Sequence, residues 1–147
     1  METILKFLAL FSSGIFTGAA FYLTTVEQPA RMSLGVEAAL EEFRPSYKRA
    51  APQQGTLAIV CFLSSAAVAA LTQDWLWLLG GSLVGAVVPF TFLFMMPTNR
   101  LLLDDTEELE IELESSRLAK WARLHAVRTV LSLFGFLVLL WVCIVSR

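Results

Sequence analysis

The sequence predicts an all-α fold, a polytopic membrane four-helix bundle formed as one domain over residues 1–147. Three observations carry this reading. Hydrophobic residues make up 56% of the chain and charged residues only 16%, against about 45–50% and about 25% in a soluble domain. Apolar runs almost free of charge recur four times, each near the roughly 20 residues that a helix needs to cross the hydrocarbon core. Lys and Arg gather in two of the three loops between these runs.

The runs follow in order. Span one covers residues 4–26 and carries one charge, Lys6. Gly18-Ala19-Ala20 has the small residues of a signal-peptide cleavage site, but Lys6 is the only basic residue before it and the apolar run continues past Ala20. Span two covers residues 54–72, span three 75–96 and span four 127–146, the last uncharged from residue 129. Tyr22, Trp75, Trp77 and Trp141 lie near span ends, where aromatic side chains anchor at the interface. Spans two and three meet in a tight turn at Gln73-Asp74.

Loop 1 contains Val36, Leu40 and Phe43 at i, i+4 and i+7, flanked by Glu37, Glu41 and Glu42. This is the pattern of a short amphipathic helix lying in the interface, ended by Pro45. In loop 3, Asp105 and Glu108 mark a helix start, with acid at the positive helix end. The helix is expected to run from about Thr106 into span four. Its acidic half (Glu107, Glu108, Glu110, Glu112, Glu114) precedes Arg117, Lys120 and Arg123, so i,i+3 and i,i+4 pairs form along it. A solvated stalk accounts for this charge, and a docking surface is the alternative.

Nine basic residues, Arg31, Arg44, Lys48, Arg49, Arg100, Arg117, Lys120, Arg123 and Arg128, lie in or beside loops 1 and 3, against Lys6 and Arg147 on the other side. The positive-inside rule then puts loops 1 and 3 in the cytoplasm and both termini outside.

Several functions are excluded. The net charge of −2 offers no basic field for nucleic acid. Cys61 and Cys143 stand alone in apolar runs, with no disulfide framework or thiolate metal motif. A single His, His125, rules out a multi-histidine metal centre within one chain. The implied partners are the lipid bilayer and a hydrophobic small molecule. Gly14/Gly18 and Gly81/Gly85 form GxxxG pairs that bring helix backbones close, either within the chain or in a homodimer. Pro89 kinks span three and frees a carbonyl one turn earlier.

The purposeful polar residues sit at the cytoplasmic span ends. Span one ends in Glu27-Gln28-Pro29-Ala30-Arg31. Loop 1 continues with Phe43, Pro45, Tyr47, Arg49 and Gln53-Gln54. Span three ends in Met96-Pro97-Thr98-Asn99-Arg100. Trp121, His125 and Arg128 precede span four at i, i+4 and i+7, so they share one helix face, which Ser132 extends. Charges at such depths are costly unless paired, so Glu27, Arg31, Asn99, His125 and Arg128 are expected to converge. Glu27 and Arg31 form an i,i+4 pair if the helix persists through Pro29. A structural polar cluster and a small-molecule pocket both fit this pattern. The discriminating feature is a cavity of about 300 Å³ or more between His125, Glu27 and Asn99.

The pieces Glu27-x-Pro29-Ala30-Arg31, Phe43-x-Pro45-x-Tyr47-x-Arg49, Met96-Pro97-Thr98-Asn99 and Trp121-x-x-Leu124-His125-x-x-Arg128 resemble the anthrone oxygenase family, small four-span membrane proteins. The resemblance runs over nearly the whole chain. Its named members oxidise anthrones to anthraquinones with O₂, without flavin or haem. The resemblance therefore implies an oxygenase with no cofactor and no metal, acting on a hydrophobic aromatic or quinol-like substrate. Many members carry a His directly after the first Glu; here that position is Gln28, which removes a second imidazole.

Such chemistry needs a base, a cation beside a developing oxyanion and a dry slot. If the chain performs that chemistry, His125 is the candidate base, with Glu27 orienting or replacing it, and Arg128 and Arg31 are the candidate oxyanion partners. Trp121, Tyr47 and Phe43 would stack on a planar substrate, with Asn99 and Arg49 as further binding residues. Two other classes stay open. One is a non-enzymatic membrane binding or scaffold protein, and the other a small transporter or channel subunit.

Overall fold

The structure, a computed structural model, describes residues 1–105 and 110–145. Four helical units are each long and apolar enough to cross a membrane: Glu2–Ser33, Val36–Thr72, Trp75–Leu103 and Ile111–Val145. The chain is thus an all-α, multi-pass integral membrane protein. Span one comprises α1 (Glu2–Tyr22), a π-helical turn (Leu23–Glu27) and α2 (Gln28–Ser33). Span two is the single helix α3 (Val36–Thr72). Span three comprises α4 (Trp75–Gly85), α5 (Val87–Phe90), a second π turn (Thr91–Met95) and α6 (Met96–Leu103). Span four is α7 (Ile111–Val145). Each span packs against its sequence neighbours and the first packs against the last, an up-down-up-down bundle.

The amphipathic stretch of loop 1 is helical, but Pro45 does not end it. Helix α3 runs through both Pro45 and Pro52 for 37 residues, about 55 Å at 1.5 Å per residue. Packing holds it together: Ala39, Leu40 and Phe43 are buried against Leu102, Leu118 and Trp121, which outweighs the hydrogen bonds lost at each proline. Loop 1 therefore shrinks to a turn at Leu34-Gly35, where Gly35 takes φ +88°, a conformation that favours glycine. The expected helix start at Asp105–Glu108 falls partly outside the described residues, as do Glu107 and the last residue of the fourth span. From Ile111 on, the extension before span four is continuous with it, and Glu114 pairs with Arg117 at i,i+3.

The turn between spans two and three is tight. Gln73 is left-handed with φ 58°, and the Asp74 side chain accepts from Leu76 N at 3.1 Å to start the next helix. Pro89 acts as expected: the α-helix of span three is interrupted at Ala86.

The small residues mark close crossings. A Cβ added at Gly81 would lie 2.4 Å from Cβ of Ser65, and one at Gly85 2.9 Å from Cβ of Phe62, so that GxxxG face is packed against span two. Gly80 and Gly135 bring spans three and four together in the same way. Gly14 meets only the Phe136 ring, and Gly18 meets nothing within 4 Å.

The two π turns share a sequence context. Each is followed, after one residue, by a proline: Gln28-Pro29 and Met96-Pro97. Proline has no N–H and its ring crowds the carbonyl four residues back. The ladder shifts register instead of breaking: Gln28 N–H donates to Leu23 O and Met96 N–H to Thr91 O, both five residues back.

Candidate functional site

Helix α7 supplies the floor of the site. Trp121, His125 and Arg128 are 3%, 1% and 8% exposed and lie on the face their spacing predicts. An aromatic ladder crosses to α3. Trp121 stacks on the His125 ring (centroids 4.9 Å apart, 25° between planes), Phe43 meets Trp121 edge-on at 5.0 Å, and Tyr47 stacks on Phe43 at 5.6 Å. Trp121 thereby fixes the imidazole plane, and one of its faces is already occupied.

A cavity of about 160 Å³ opens beside this ladder. Among the residues singled out from the sequence, Arg31, Phe43, Tyr47, Trp121, His125 and Arg128 line it. Gly55 of span two and Thr91 and Phe92 of the second π turn also line it, and Phe92 is largely exposed. The cavity is smaller than the about 300 Å³ expected, and Glu27, Asn99 and Arg49 do not line it.

Glu27 and Asn99 act one step back. Glu27 accepts from Arg31 Nη2 at 2.5 Å, Gln28 Oε1 accepts from Arg31 Nη1 at 2.8 Å, and Glu42 pairs with Arg31 Nε. The i,i+4 pair exists because the chain stays helical through the π turn and Pro29. Three acceptors grip one buried guanidinium, in the fork geometry that only Arg offers. Asn99 is wholly buried and its Nδ2 donates to the Tyr47 hydroxyl at 2.7 Å. Arg49 is exposed and borders a separate shallow groove with Glu42, Pro45 and Gln53.

Arg128 differs from Arg31. Its Nη2 donates to Gln54 Oε1 at 3.0 Å and its Nη1 lies 4.0 Å from the Met95 sulfur. Among the described residues it has no carboxylate partner, and its Nε has no hydrogen-bond partner. The guanidinium sits over Phe16 at 5.7 Å. Trp121 Nε1 is likewise buried without a partner. Two N–H donors, one of them cationic, thus belong to side chains that line one cavity.

His125 is tied to span one. Its Nδ1 lies 3.1 Å from Thr24 Oγ1, which lies 2.7 Å from Thr129 Oγ1 and 2.9 Å from Ala20 O. Thr24 and Thr129 were not singled out from the sequence, and Gln54 only as part of a polar pair. Thr129 had a signal, being four residues beyond His125 on its face. Thr24 had none, since the π turn that carries it is not visible in a hydrophobicity pattern.

The match to known proteins covers the part of this site that lies beyond span one. A family model described as anthrone oxygenase matches residues 43–138. The matched stretch includes Phe43, Tyr47, Gln54, Asn99, Trp121, His125 and Arg128, while Thr24, Glu27 and Arg31 lie before it. No curated protein and no solved structure matches the chain.

Proposed function

The chain belongs to the anthrone oxygenase family, and from that premise we propose that it is a membrane-embedded oxygenase for a hydrophobic aromatic substrate with an acidic CH₂ beside a carbonyl. The observation that carries the reading is the cavity shared by His125 and Arg128, a nitrogen base beside a buried cation that has no carboxylate partner among the described residues. A buried cation without a counter-charge is costly in a membrane. An enolate oxygen supplies that counter-charge, and an apolar cavity strengthens the interaction.

The steps balance without a further co-reactant. His125 takes a proton from the CH₂ group, and the electron pair moves onto the carbonyl oxygen, where Arg128 holds it. The electron-rich carbon reduces O₂ and forms a C–O bond, and the proton returns to give a hydroperoxide. Loss of water breaks the O–O bond and removes the remaining C–H proton, leaving a second carbonyl. One O₂ gives one quinone oxygen and one water. Trp121 and Phe43 hold the imidazole plane, Asn99 holds Tyr47, and Glu27 with Glu42 holds Arg31. The cavity takes one ring of a polycyclic substrate, and the remainder lies past Phe92 among the acyl chains, from which the substrate arrives. Loops 1 and 3 face the cytoplasm in this reading, with the site at that interface.

The test is O₂ uptake and quinone absorbance with an anthrone and purified protein in nanodiscs. Wild type accelerates the reaction over empty nanodiscs. His125→Gln keeps a hydrogen bond and loses about 10²–10⁴-fold, the usual contribution of a general base. Full activity in His125→Gln removes His125 as the base, and no acceleration by wild type refutes the oxygenase reading.

A further inference from the structure

The hydroxyl of Thr24 touches three groups at once, and they cannot all be satisfied by its single proton. Ala20 O, at 2.9 Å, only accepts. Thr129 Oγ1, at 2.7 Å, can give or take a proton. His125 Nδ1, at 3.1 Å, gives or takes depending on the tautomer. A hydroxyl offers one donor and two lone pairs. If all three contacts are hydrogen bonds, the Thr24 proton goes to Ala20 O, because that contact has no other source. Thr129 then donates to Thr24, and the Nδ1 contact needs a proton on Nδ1. If Thr129 donates instead to Ala20 O at 3.1 Å or His125 O at 3.2 Å, the 2.7 Å contact uses the Thr24 proton, and Nδ1 again donates. The one arrangement with an accepting Nδ1, in which Thr129 donates to Thr24 and Thr24 to Nδ1, gives up the 2.9 Å bond to Ala20 O.

From this proton count we infer that Thr24 is a positioning residue that fixes His125 as the Nδ1–H tautomer, leaving the bare Nε2 lone pair for the occupant of the cavity. His125 lines the cavity, whereas Thr24, which engages its Nδ1, does not. The inference rests on the proposed role of His125 only for its catalytic meaning. The tautomer itself is a property of the resting protein. Thr24 lies within the first π turn. The Nε2–H tautomer is the poorer choice, since it gives up the bond from Thr24 to Ala20 O.

His125 is the only histidine in the chain, so its ring nitrogens can be read without assignment. The experiment is a long-range ¹H–¹⁵N spectrum of the ¹⁵N-histidine-labelled protein in nanodiscs at neutral pH, for wild type, Thr24→Val and Thr24→Ser. Wild type should show a pyrrole-type Nδ1 and a pyridine-type Nε2. Thr24→Val, of the same shape without the hydroxyl, should lose that pattern, and Thr24→Ser should restore it. In the oxidation assay kcat should fall at least about tenfold in Thr24→Val, with KM unchanged, and recover in Thr24→Ser. A pyrrole-type Nε2 in wild type overturns the inference, as does protonation of both nitrogens or an unchanged pattern in Thr24→Val. Because the wild-type spectrum alone decides the tautomer, a misfolded variant does not shield the idea. If the spectra behave as expected and no variant oxidises the anthrone, the tautomer assignment stands and the oxygenase reading falls.

Discussion

Arg128 Nη2 donates to Gln54 Oε1 at 3.0 Å, joining spans two and four with a full charge on one side and a neutral amide on the other. Replacing Gln54 by Leu removes that acceptor and leaves the guanidinium less satisfied in a buried site. We expect a loss of about 1–3 kcal/mol, read as a lower midpoint in detergent-induced unfolding. An unchanged midpoint would mean that Arg128 finds another acceptor.

The opposite change supplies the missing charge. Gln54→Glu places a carboxylate where the amide oxygen now meets Arg128. Stability should hold or rise, while turnover of an anthrone falls because Arg128 is no longer free for a substrate anion. Loss of stability together with retained turnover would contradict the role given to Arg128.

Asn99 and Tyr47 form a pair whose parts need each other. Tyr47→Phe leaves a wholly buried amide without its partner and should cost about 1–3 kcal/mol. Asn99→Leu in the Tyr47→Phe background should recover part of that loss, so the double variant falls short of the sum. Strict additivity in this cycle would show that the 2.7 Å contact contributes nothing.

The glycines separate by surroundings. Gly81→Ala drives a methyl group onto Ser65 and should destabilise the bundle by about 1–3 kcal/mol. Gly18→Ala meets open space and should be neutral within about 0.5 kcal/mol. Thermal aggregation in one detergent compares the two directly, and equal effects would deny the close crossing of spans two and three.

The nine basic residues in or beside loops 1 and 3 predict which side these loops face. A reporter fused to either terminus should read as extracytoplasmic. Cleavage of the 104–114 segment by protease added outside intact cells would reverse the orientation.

Much of this was legible because lipid is a demanding solvent. With no water to satisfy the backbone, a long uncharged run must be a helix, so four spans follow from where charges are missing. The shared face of Trp121, His125 and Arg128 follows from helical spacing alone. Pro45 misled because a local stop signal competes with packing, and Phe43 and Leu40 are buried against span four and the end of span three. Glu27 and Asn99 lie off the cavity for a different reason. Their chemistry suits a catalytic site, but sequence carries no distance, and each is consumed by a neighbour that lines the cavity. Thr24 went unseen because its position depends on a one-residue change of helix register.

That change of register has a consequence of phase. A π turn is an α-helix carrying one extra residue, and one residue is about 100° of rotation. The segment before Leu23–Glu27 can therefore be angled for its lipid and bundle contacts, while Arg31, beyond it, is angled for Glu42 and the cavity. Span three repeats the device, with Thr91–Met95 set between the glycine-packed segment and Asn99. Deleting one residue inside either turn would swing Arg31 or Asn99 away from its partner by about 100°. Bundle contacts and the residues about the cavity are in this way set separately within one helix, each by the stretch on its own side of the π turn.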